Sequence, residues 1–114
     1  MTAPPTAQPV VRQWRARATP DGARAYEAHF RSAVLTDLAA VDGWLGAQLL
    51  VREEGGEVEL VTLVWFESLD AVRRFAGADL ERAVVAPEAR RVLRTFDERV
   101  THYRLAADAP PQPS

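Results

Sequence analysis

The stretch VELVTLVWFE, residues 58–67, is apolar on both sides of an extended chain. A strand turns successive side chains to opposite faces. Leu60, Thr62, Val64 and Phe66 therefore point one way, and Val61, Leu63 and Trp65 point the other. A sheet with helices on one side shelters only the first set. Leaving the second set in water costs several kcal/mol at roughly 25 cal/mol per Å² of apolar surface. A second copy of the same sheet is the simplest cover, so residues 58–67 predict a homodimer packed through Val61, Leu63 and Trp65. The chain termini are the only other segments able to fold over that face, and they are too polar to do it well.

Working outward, Glu54-Gly55-Gly56-Glu57 joins this strand to WLGAQLLVRE (44–53), a hairpin signature. Upstream, VVRQWRARA (10–18) alternates, with Val10, Trp14, Ala16 and Ala18 opposite Gln13, Arg15 and Arg17. Thr19-Pro20-Asp21 then starts a helix on which Ala23, Tyr26, Phe30, Val34, Leu38 and Val41 recur, and Asp42-Gly43 ends it. Ser68 caps a helix running to Gly77, Asp79 begins a turn or two, and Pro87 restarts helix through EARRVLR. Phe96 to Leu105 reads as the last strand. The order β-α-β-β-α-β predicts an α+β, ferredoxin-like antiparallel sheet. Right-handed crossovers put the helices on one face.

At 114 residues the chain fits one domain, placed at 10–105. The flanking segments 1–9 and 106–114 hold six of the eight prolines without apolar periodicity and are expected to be disordered tails. Net charge is −2, which gives no reason to expect nucleic acid or an anionic membrane as partner. No apolar run approaches the length of a membrane span and no signal peptide is evident, so a cytoplasmic location is expected. Cysteine is absent, which removes disulfides, thiolate nucleophiles and cysteine metal sites. All 14 basic residues are arginine, so Schiff-base and P-loop lysine chemistry is excluded too. The two histidines, His29 and His102, have no metal-site spacing, and neither metal nor cofactor is expected.

The segments LVWFESLDAVRRFAG (63–77), DLERAVVAPEARR (79–91) and VTHYRL (100–105) carry a resemblance to a known family. With the Trp14-Arg15 pair of the first strand, they make residues 10–105 similar to the antibiotic biosynthesis monooxygenase family of the dimeric α+β barrel superfamily. The resemblance implies the same sheet and the same dimer. In that family some members are cofactor-independent oxygenases of polycyclic aromatics, others degrade haem and many have no known activity, so the resemblance implies the fold more narrowly than the reaction. The haem-degrading branch has a ligand histidine 17 residues after the junction serine, where this chain has Val85. It also uses an asparagine, which this chain lacks, and a tryptophan where Phe66 stands.

In the last strand His102 shares a side with Phe96, Glu98 and Val100, and the neighbouring first strand turns Trp14 the same way. Tyr26 and Phe30 descend on that space from the first helix, with His29 at the edge of their stripe. An aromatic-walled cavity with one or two imidazoles is the expected result. An imidazole with a pKa of about 6.5 is the natural base at neutral pH. His102 is thus the candidate catalytic base, and Trp14, Tyr26, His29, Phe30 and Phe66 are candidate contacts to a small aromatic or polyketide-like substrate. The competing reading is a non-enzymatic homodimer of the same fold that binds a small hydrophobic ligand or fills its cavity with side chains. The size of the space beside His102 discriminates between them.

Overall fold

The computed structural model describes residues 8–111. The residues of the two expected tails beyond those limits lie outside the described chain. Strand β1 (Val10–Ala18) feeds α1 (Pro20–His29) through Thr19, whose side chain accepts from the Gly22 amide at 3.0 Å. The helix does not run straight to its end. It passes through a π-helical turn, Phe30–Val34, before resuming as α2 (Leu35–Ala39). Strands β2 (Trp44–Glu54) and β3 (Glu57–Phe66) form the hairpin, turned by Gly55 and Gly56 at φ of 60° and 82°. Ser68 caps α3 (Leu69–Ala76) by accepting from the Ala71 amide, and Gly77 ends it at a φ of 87°. Residues 77–86 are irregular, and α4 (Pro87–Val92) follows.

All strand pairs are antiparallel, in the order β2-β3-β1, with the final chain segment on the far side of β1. This is the ferredoxin-like arrangement, with the helices on one face. Alternation along β3 is strict: Val58, Leu60, Thr62, Val64 and Phe66 are buried and the intervening residues are half-buried. Under the helices the core divides in two. Trp14, Tyr26, Phe30 and Leu60 centre one cluster beneath α1 and α4, while Leu38, Phe66 and Val72 centre the other beneath α2 and α3. No helix among the described residues is long and apolar enough to cross a membrane.

The last strand differs from its sequence reading. It is not continuous over 96–105 but splits into β4 (Thr95–Phe96) and β5 (Thr101–Arg104), both paired to β1. Ala16 pairs with Phe96 and Gln13 with Thr101, so four residues, 97–100, stand opposite only two of β1. The surplus chain swings out to pair with the irregular segment: Val100 donates to Glu81 O at 2.7 Å and Ala83 donates to Glu98 O at 2.9 Å. Because the surplus is an even number, His102 stays on the same face as Phe96.

Candidate functional site

Two spaces lie on the helical side of the sheet, and only the inner one reaches the strands. The outer one is a cleft of about 410 Å³ bounded by α1, the π turn and residues 84–89. Ala33, Val34, Phe75, Val84, Val85, Ala86 and Ala89 make it largely apolar, and Tyr26, His29, Asp37 and Glu88 supply its polar groups. The inner space is only about 50 Å³, enclosed by Arg12, Trp14, Phe30, Thr62, Val64 and Val100. Tyr26, Val34, Phe75 and Val84 border both, so one layer of side chains separates them.

The candidate residues distribute unevenly over these spaces. Tyr26 is buried, stacks at a tilt 5.9 Å from the His29 ring, and faces both cavities. Burial pushes its phenol up to about 12, so at neutral pH it is a neutral hydroxyl able to donate. His29, half-exposed, lines the outer cleft. Trp14 and Phe30 line only the inner space, and the Trp14 indole already donates to Asp97 O at 2.8 Å. Phe66 is fully buried, 5.9 Å from Phe75 in the second core cluster, and borders neither space. His102 also borders neither. Its Nε2 accepts from Nη1 of Arg12 at 3.2 Å.

The structure thus brings Tyr26 and His29 to one cleft, leaves Trp14 and Phe30 behind it, and holds His102 on the far side of Arg12. The space next to Trp14, Tyr26 and Phe30 has no room for two fused rings; the outer cleft does. Arg12 is the residue that sequence reasoning passed over. It is 4% exposed, and its guanidinium donates to Leu80 O and Arg82 O at 2.6 Å each and lies 5.5 Å from the Phe75 ring. Desolvation holds it down at about 10, still a cation at neutral pH. The signal was present in the alternation: Arg12 falls on the same side of β1 as Val10, Trp14 and Ala16.

Among solved structures, a protein of Bacillus cereus described as a candidate antibiotic biosynthesis monooxygenase superposes with a TM-score of 0.66. It is 12% identical, over 92% of this chain and 100% of its own. Its fold fixes the class. This chain has the fold of the antibiotic biosynthesis monooxygenases. SnoaB, a cofactor-independent oxygenase from Streptomyces nogalater, shares that monooxygenase fold at a TM-score of 0.63 and 21% identity, over 93% of this chain and 100% of its own. A haem-degrading protein of Mycobacterium tuberculosis does so at 0.57 and 22%, over 92% and 99%. No protein-family model and no curated protein matches the sequence. Different chemistries therefore share the monooxygenase fold, and the side chains must choose between them. Val85, where the resemblance places the haem-ligating histidine, lines the cleft with hydrocarbon alone. Among the described residues no group of three or more histidine and acidic side chains is arranged to hold a metal ion.

Proposed function

We propose that this protein is a cofactor-independent monooxygenase of the antibiotic-biosynthesis type, acting on a small aromatic or polyketide-like molecule with O₂. The observation that carries the reading is the outer cleft, large enough for fused rings and presenting an imidazole and a neutral phenol, with the carboxylates of Asp37 and Glu88, among otherwise apolar walls. The sequence alone points to His102 as the base. The geometry favours His29 for direct contact with a ligand, because His29 lines the cleft and the Nε2 of His102 is already engaged.

The chemistry then needs little from the protein. An activated C–H of the substrate loses its proton to the imidazole, leaving a carbanion. The carbanion gives one electron to O₂, and the radical and superoxide combine in a C–O bond. The peroxide takes up a proton and loses water, leaving a carbonyl, so that a CH₂ and O₂ become C=O and H₂O. Tyr26 donates to the oxygen that bears charge, and the apolar walls exclude water from the intermediates. The functional unit in this reading is a homodimer joined through Val61, Leu63 and Trp65, which leaves both cleft mouths on the outside.

Oxygen consumption with an anthrone tests it. Removing a general base costs about 10²–10⁴-fold in rate. A loss of that size in His29→Ala, with a smaller one in His102→Ala, is the expected result. A loss only in His102→Ala would return the base to that residue. Oxygen uptake absent from the wild type would favour the non-enzymatic binding protein, the reading that the small space beside Trp14, Tyr26 and Phe30 supports.

A further inference from the structure

Arg12 is a buried cation whose partners are all neutral. Its Nη1 reaches Leu80 O and the ring of His102, its Nη2 reaches Arg82 O, and it takes part in none of the described ion pairs. A buried charge without a counter-charge costs several kcal/mol, so such groups are normally paired. A guanidinium carries five N–H donors. Three are used here, and the group borders the inner space.

The sizes of the two spaces indicate what completes the pairing. Since a water-sized group occupies about 30 Å³, the inner space of about 50 Å³ admits an oxygen but not a ring. The outer cleft, about 410 Å³, admits the ring system. Of the four side chains between them, Val84 sits on the irregular segment 77–86 and is 49% exposed, which makes it the one freest to move aside. We infer that Arg12 is the anion-binding residue of this site, taking an acidic phenol or enol as its oxyanion, with the oxygen against the guanidinium and the carbon skeleton in the outer cleft. This rests on the reading of the cleft as a small-aromatic site and adds the charge state that it selects. The other titratable groups near Arg12 are His102 from β5, Glu81 beyond it, and Tyr26 from α1. His102 and Tyr26 are held neutral by burial, and Glu81 pairs with Arg99 at 3.4 Å, so none of the three replaces the missing anion.

A hydroxyanthraquinone, whose absorption shifts to longer wavelength on losing its phenolic proton, provides the test. Its ionisation is titrated free, bound to the wild type, and bound to Arg12→Lys and Arg12→Gln. The bound dye is expected to ionise at least about one pH unit lower than the free dye in the wild type, a tenfold preference for the anion. Arg12→Lys is expected to keep much of the shift, and Arg12→Gln to lose it. A wild-type midpoint at or above that of the free dye overturns the inference without any variant having to fold. So does an unchanged shift in Arg12→Gln. Failure of the wild type to bind the dye in either form overturns the cleft reading itself, and this inference with it.

Discussion

A guanidinium can only donate, so Arg12 fixes the tautomer of His102: Nε2 accepts, and the neutral ring carries its proton on Nδ1. Burial first, and the charge of Arg12 second, hold the ring below its ordinary 6.5, with Glu81 opposing. The sign follows directly. Below 6.5 the unfolded chain binds a proton that the folded ring resists, so stability falls as pH drops through that value toward the folded pKa. Above it the contribution is complete. Urea unfolding at a series of pH values between 8 and about 5 is expected to show a steeper acid loss for the wild type than for His102→Gln. Parallel profiles would mean that folding does not lower the ring's proton affinity. At this scale the site was half legible. Tyr26 and His29 could be placed because helical spacing assigns faces without knowledge of a partner. His102 and Arg12 could not be assigned to each other, because their contact depends on a pairing register across 90 residues.

The first helix shows what periodicity conveys and what it leaves out. Tyr26, Phe30, Val34 and Leu38 are spaced at four, and each such step drifts about 40° around an α-helix, about 120° in all. The π turn at Phe30–Val34 underwinds the chain and takes back much of that drift, so Leu38 arrives fully buried. The spacing implied a helix; the correction needed to keep its face inward was implicit in the same numbers. The break between β4 and β5 left no comparable trace. Its one mark in the letters is Glu98, a charge on the side of Phe96 and Val100, and the excursion is held by tertiary partners: the Trp14 indole on Asp97 O, and residues 81–83 along 98–100. Packing between helices offers a sharper test. A Cβ on Gly22, in the first turn of α1, would stand 2.3 Å from the carbonyl oxygen of Val92 at the end of α4. Backbone cannot yield as a flexible side chain does. Gly22→Ala is therefore expected to destabilise by about 1–3 kcal/mol, read as a lower midpoint in thermal or urea unfolding. An unchanged midpoint would show that α4 can move away freely.

For the molecule as a whole, the face of β3 that opened the sequence reading keeps its apolar surface in the folded chain. Val61, Leu63 and Trp65 are only half-buried, Leu50 and Tyr103 beside them are 49% and 53% exposed, and the Trp65 indole reaches only Gln48. The homodimer proposed here would cover them. A stable interface buries about 800 Å² per partner, and a charge placed unpaired at its centre costs several kcal/mol. Sedimentation equilibrium is expected to find a dimer for the wild type and a folded monomer for Leu63→Glu. A wild-type monomer would contradict the arrangement. The fold could be read from the letters because the two-sided strand, the glycine hairpin and the caps all agree, whereas the cleft depends on distances between elements that no local pattern records. The split last strand bears on how copies can meet. Because residues 97–100 leave the ladder, that margin of the sheet offers an incoming chain only two short, discontinuous rungs. The opposite margin, β2, is bent by the irregularity at Trp44–Gly46 and ends in Arg52, Glu53 and Glu54. Neither border invites another chain to zip on and extend the sheet, a common first step toward fibres. Any self-association is thereby steered to the flat of the sheet, the face the proposed dimer would use.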